Sequence, residues 1–223
     1  MSIYCILILH SIQVEIFRIG LPSAVQSMLF SGISMVIARL IAGWGDAAVA
    51  VQKVGSQIES ISWMTAEGYA AALNSFVAQN HGAKNTDRIR EGYRLSMIVM
   101  LSWGVFCSFV LIVFPQLIFQ VFIQEAEVLP MGVDYLRILG VSQLFMCMEI
   151  TTAGAFSGLG KTLPPSIVSI TLTGARIPMA ILLGRWLGLN GVWWAITISS
   201  IGKGIVLLGW FLKDMKRAGM PER

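Results

Sequence analysis

The sequence predicts an all-α integral membrane protein built from six spanning helices. Three observations predict it. The 223-residue chain is 56% hydrophobic and only 13% charged, whereas a soluble domain carries about 25% charged residues. Apolar runs of about 20 residues, the length that crosses a bilayer, recur along the chain with Gly- and Pro-containing punctuation at 43–45, 81–85, 157–165 and 188–191. The basic residues, finally, divide unevenly between alternate gaps.

The first span is expected over about 19–42, after Arg18, with Pro22 in its opening turn, where a missing N–H costs little. Residues 1–14 are expected as a flank with no function of its own. They lack the basic start and cleavage site of a signal peptide. The second span is expected over 56–79 and is the most polar. The third, over 94–115, contains MIVMLSWGVFCSFVLIVF and suits a lipid-facing helix. The fourth, fifth and sixth are expected over 132–157, 165–187 and 191–212. Together they make one transmembrane lobe over 15–213, followed by a tail at 214–223. The basic stretch 80–93 is expected as the longest loop, with a short surface helix.

Loop charge sets the expected orientation. Arg18, Lys84, Arg88, Arg90, Arg94, Lys161, Lys213, Lys216, Arg217 and Arg223 all fall on one side, and only Lys53 and Arg185 on the other. The gap 116–134 carries Glu125, Glu127 and Asp134 and no base. The positive-inside rule then places both termini in the cytoplasm of a multi-pass cell-membrane protein.

Little here suits an enzyme. His10 and His81 lie far apart, and H-E-x-x-H, G-x-S-x-G and Walker A motifs are missing from the sequence. The glycines of SGLGKT fail the phosphate-loop spacing. Cys5, Cys107 and Cys147 show no C-x-x-C pairing and read as apolar filler. The net charge of +4 is an orientation signal rather than a nucleic-acid one. No cofactor and no nucleic-acid partner are expected; the lipid bilayer is.

Charges inside the spans carry the chemistry. Glu67, Glu149, Arg176 and Lys203 fall deep, with Glu59 and Arg137 nearer the outer side. An ionised residue at the bilayer centre costs about 2.5–3.5 kcal/mol or more, so it faces a cavity or another charge. At 100° per residue, Gln52, Ser56, Glu59, Ser60, Trp63, Glu67 and Asn74 share about a third of the second span's circumference. Ser23, Gln26, Ser27 and Ser34 cluster on the first span, and Ser142, Met146, Glu149 and Ala153 on the fourth. Two outcomes compete. One is a water-accessible cavity between spans one, two and four. The other is close helix packing, with the acids paired to Lys203 or Arg176. A desolvated carboxylate holds either a proton or another cation, and that mutual exclusion is the physical basis of antiport. Trp63, Tyr69, Phe145 and Phe156 could add aromatic faces for an organic cation, and Met146 and Met148 adaptable packing.

RIGLPSAVQSMLFS at 18–31, VAQNHGA at 77–83, YLRILGVSQLF at 135–145 and GAFSGLGKTLPPSIVSI at 154–170 together resemble the C-terminal six-helix lobe of a multidrug and toxic compound extrusion (MATE) transporter. The resemblance runs from about 15 to 213. It implies twelve spans in two lobes and export of organic cations and drugs in exchange for Na+ or H+. It also implies a partner, either an N-terminal lobe or a second copy of this chain, so that the chain is expected to be a fragment. Related folds move lipid-linked precursors, and a non-transporting remnant or structural subunit is a further alternative. The acids that some relatives carry in the first and fourth helices of this lobe fall here at Phe30 and Met146, so they are not carried over. On depth and face, Glu67 and Glu149 are the expected cation-coupling carboxylates. Glu59, Asn74, Gln26 and Gln143 are the expected polar companions.

Overall fold

The computed structural model describes residues 3–123, 125 and 127–217; for residues 3–12, 15, 16, 18 and 19 it describes the backbone only. The described residues form nine helices: α1 (Ile3–Ala42), α2 (Asp46–Gly82), α3 (Thr86–Val113), α4 (Pro115–Gln120), α5 (Leu129–Gly140), α6 (Gln143–Gly158), α7 (Leu163–Gly174), α8 (Arg176–Leu187) and α9 (Leu189–Arg217). Four stretches are long and apolar enough to cross a membrane: Gly20–Ala42, Thr86–Val113, Leu163–Leu187 and Leu189–Arg217. The bent pair α5–α6 supplies a fifth, with 46° between its halves. Helix α2 is not among them. Its 37 residues reach about 55 Å at 1.5 Å per residue, ample for crossing. Its stripe of Asp, Glu, Gln, Asn and Ser is what keeps it less apolar than the rest.

Three boundaries differ from expectation, one of them the start of the second span, since α2 begins at Asp46 and not near 56. Helix α1 continues upstream to Ile3, so Pro22 sits inside it instead of opening it. Ile3–Ile19 contains neither Pro nor Gly, so nothing stops the helix there, and Pro22 removes one backbone hydrogen bond within it. The basic loop is also shorter, because α2 ends at Gly82 and α3 starts at Thr86. Lys84 takes a left-handed φ of 56°, and the Asn85 side chain caps α3 by accepting from the Arg88 amide at 3.3 Å. Arg88, Arg90 and Arg94 are therefore turns of a helix, not loop residues.

Helix α6 is the hub, packed against α2, α3 and α9. Glycines bring the backbones together. A Cβ on Gly154 would sit 2.7 Å from the Ala70 carbonyl oxygen, and one on Gly158 2.6 Å from that of Asn74, both on α2. Gly104 of α3 approaches the Leu144 Cα, and Gly204 of α9 the Phe145 carbonyl, in the same way. Small residues do this work in membranes because lipid supplies no hydrophobic drive between helices. Four apolar clusters result among the described residues, two of them large. One joins Leu73, Tyr93, Phe156 and Phe211; the other joins Val51, Ile58, Phe119, Tyr135 and Trp193. A polar layer lies between them. Helix α1 packs on α7, α8 and α2 but leaves Met28, Phe30 and Met35 exposed.

Candidate functional site

The polar layer begins at two helix breaks. Helices α5 and α6 are interrupted at Val141–Ser142, and α7 and α8 at Ala175. A break frees backbone carbonyls, and inside a bilayer these must find protein donors. Here they do. Thr197 donates to the Ile138 carbonyl at 3.1 Å, Ser142 to that of Leu139 at 2.9 Å, and Ser108 to that of Gly140 at 2.7 Å. At the second break Ser199 donates to the Leu172 carbonyl at 2.8 Å. The breaks are stable because hydroxyls from α3 and α9 complete them. They also deliver Gln143 and Arg176, the first residues of α6 and α8, into the layer.

Glu59 of α2 is the focus. Tyr135 donates its hydroxyl to Oε2 at 3.1 Å, and Gln143 donates Nε2 to Oε1 at 2.8 Å. Behind Tyr135, the Trp193 indole N–H donates to Gln52 Oε1 at 3.0 Å, and Gln52 Nε2 lies 3.5 Å from the Tyr135 oxygen. The donors thus run in one direction and end on the carboxylate, so each bond polarises the next. Gly55 makes room for Tyr135, since a Cβ there would collide with its ring. Gln143 is fully buried, and its Oε1 has no hydrogen-bond partner among the described residues. A buried orphan acceptor beside a carboxylate is an unusual expense.

The other deep charges lie close by. Glu149 and Lys203 form an ion pair at 2.9 Å. Arg176 donates Nε to Ser199 Oγ and Nη2 to Ser200 Oγ, both at 3.0 Å. The expected companions scatter by comparison. Glu67 lies eight residues beyond Glu59, about 80° further round α2. It is exposed, and no hydrogen bond or ion pair holds it among the described residues. Asn74 and Gln26 are half-buried and lie outside the Glu59 network. Phe156, expected as an aromatic face for an organic cation, is instead fully buried core, edge-on to Phe211. Trp63 remains on the exposed face of α2. Phe30 is exposed and Met146 half-buried. A separate cavity of about 400 Å³ at the end of α9, lined by Gly209, Trp210, Lys213, Asp214 and Arg217, does not reach this layer.

Sequence reasoning missed the roles of Tyr135, Trp193 and the serines at 199–200. Each reads singly as packing. Only the facing of Tyr135 on Gly55, across 80 positions of sequence, reveals the first; no periodicity signals it.

Helices interrupted beside charged residues are a recurring build of membrane transporters. Known proteins agree. The MatE family model matches residues 22–182. The chain is 30% identical over 217 residues to a probable multidrug resistance protein NorM of Thermotoga maritima, covering 93% of this chain and 46% of that protein. It is 22% identical to human multidrug and toxin extrusion protein 1, covering 76% and 30% respectively. The crystal structure of the Vibrio cholerae MATE transporter VcmN in the bent form superposes with a TM-score of 0.83 at 21% identity, over 90% of this chain and 46% of that one. The chain therefore belongs to the multidrug and toxic compound extrusion family. That family is one of transporters, not enzymes, and the chain is a multi-pass membrane protein. It spans about half the length of the curated relatives it matches.

Proposed function

We propose that this chain is one lobe of a secondary drug-efflux antiporter, which exports organic cations in exchange for Na+ or H+, with Glu59 as the carboxylate that takes the exchanged cation. One observation carries the reading. Glu59 is a half-buried carboxylate held by the neutral donors Tyr135 and Gln143, with the unpartnered Oε1 of Gln143 alongside. Carboxylate and amide oxygens are hard ligands suited to a hard cation, and a proton competes for the same carboxylate. Glu149, already paired with Lys203, has its charge met and would act as a secondary member of the layer. Glu67, on the exposed face of α2 with Trp63 one turn away, would meet an organic cation directly, with Asn74 and Gln26 as further polar candidates.

A single lobe offers one wall, and alternating access needs two bundles rocking about a site between them. The second wall would be an N-terminal lobe or a second copy of this chain. The exposed polar stripe of α2 and the thin packing of α1 suit such an opposing surface. Both termini would lie in the cell's cytoplasm, as the loop charges require.

The test is Glu59→Gln in the full-length protein, assayed by dye efflux from cells lacking other pumps and by Na+ and H+ binding to purified protein. Glutamine keeps the size but not the charge; one of its two acceptor oxygens becomes a donor, which the Tyr135 hydroxyl can turn to accept. Cation binding and efflux should both be lost while expression is retained. Wild-type efflux in a well-expressed Glu59→Gln would overturn the assignment.

A further inference from the structure

Four formal charges, Glu59, Glu149, Arg176 and Lys203, belong to the polar layer of the bundle, and their pairing is incomplete. Lys203 and Glu149 touch at 2.9 Å, so their charges cancel. Glu59 and Arg176 do not touch. Neutral groups hold each of them: Tyr135 and Gln143 on the carboxylate, Ser199 and Ser200 on the guanidinium. Both nevertheless relate to α9: Ser199 and Ser200 hold the guanidinium, and Trp193, two turns before Ser200 on the same face of α9, donates to Gln52, which stands two turns before Glu59 on the same face of α2. Arg176 is buried and stands at the first position of α8, immediately after the break. Its described hydrogen bonds use Nε and Nη2, while a guanidinium carries five donors in a fixed fork. Two opposite charges in one polar layer, each held by dipoles alone, leave an ion pair unmade.

We propose that Arg176 is the internal rival of the exchanged cation: a positioning residue that rests on Ser199 and Ser200 while Glu59 carries a cation, and turns to Glu59 when the cation leaves. The proposal rests on Glu59 being the cation site. It supplies what a good binding site lacks, a way to let go. A vacated carboxylate would otherwise stand uncompensated in low dielectric and recapture its ion. A tethered guanidinium supplies the charge in place of the departing ion, so release no longer creates a bare buried anion. The titratable group in contact with Glu59 is Tyr135 from α5; the other charged groups of the layer are Arg176 from α8 and the neutral-sum pair Glu149–Lys203 from α6 and α9. Among these described groups, Arg176 alone brings a positive charge that no contacting acid already meets.

Two variants should move cation affinity in opposite directions. Arg176→Gln removes the rival, so Na+ and H+ should each bind on the order of tenfold tighter, a typical coupling between neighbouring sites, while turnover of dye export falls because release slows. Ser200→Ala takes away one of the guanidinium's resting places, so Arg176 falls on Glu59 more readily and cation affinity should weaken. Arg176→Lys should keep most of the wild-type behaviour. Binding is read with radioactive Na+ and by proton uptake on full-length purified protein, with monodispersity and thermal stability measured alongside. If Arg176→Gln does not fold, the opposite shift in Ser200→Ala still decides. If Glu59→Gln leaves cation binding intact, the cation-site reading itself fails. If Glu59→Gln abolishes binding but Arg176→Gln and Ser200→Ala leave affinity unchanged, the cation-site reading stands and the rival role of Arg176 is overturned.

Discussion

Glu59 and Glu67 are both glutamates of one helix, and eight positions separate two different environments. The rotation between them, about 80°, turns Glu59 into α5 and α6 and leaves Glu67 on the open face. The two should separate in experiment. Glu67→Gln should weaken export of cationic dyes while leaving Na+ and H+ binding to purified protein unchanged; a loss of ion binding would place Glu67 in the ion site instead. Tyr135→Phe tests the donor chain. It removes the hydroxyl on Glu59 and strands one donor of Gln52, a change that costs about 1–3 kcal/mol when such a group is buried. Thermal stability should drop by that order, and the ion affinity should change with it. A variant with wild-type melting and wild-type ion affinity would show the chain to be idle.

At the scale of elements, the site depends on helices that approach closely and helices that break. Gly154 and Gly158 let α6 lie against the α2 backbone, which sets the distance between Gln143 and Glu59. Gly154→Leu has no room, because the Ala70 carbonyl already sits where a Cβ would go. Overpacking of this kind costs about 1–3 kcal/mol or more, and prising α2 from α6 should also loosen the bond between Gln143 and Glu59. The expected outcome is lower thermal stability together with weakened cation binding, both measured on purified protein. Gly209, with nothing near its absent Cβ, is the control, and Gly209→Ala should change neither. Lost stability with intact cation binding would mean that this helix contact does not set the site.

For the whole molecule, the decisive quantity is orientation. Arg88 and Arg217 should lie in the cytoplasm and Glu125 outside. Single cysteines at these positions, on a background cleared of Cys5, Cys107 and Cys147, should label with an impermeant thiol reagent in intact cells at 125 only. Labelling at 88 and not at 125 would invert the topology. The exposed stripe of α2, with Ser56, Trp63 and Glu67, and the weakly packed α1 give the molecule one face unlike its others.

Class and helical content were legible in the sequence, because a bilayer penalises any charge or broken helix and so writes its constraints into composition. The polar stripe of α2, with Glu59 on it, followed from periodicity; Gln143 entered only as a polar companion, and the leading carboxylates were expected to be Glu67 and Glu149. Which glutamate meets which partner did not follow. A helical wheel gives a direction but not what stands there. Only tertiary packing put Tyr135 against Gly55, paired Glu149 with Lys203, and set Arg176 on two serines of α9. These contacts join residues tens of positions apart through glycines whose purpose shows only when another backbone arrives. The sequence by itself thus determined a membrane lobe with costly charges inside its spans. The tertiary structure decided which of those charges cancel and which two are kept apart.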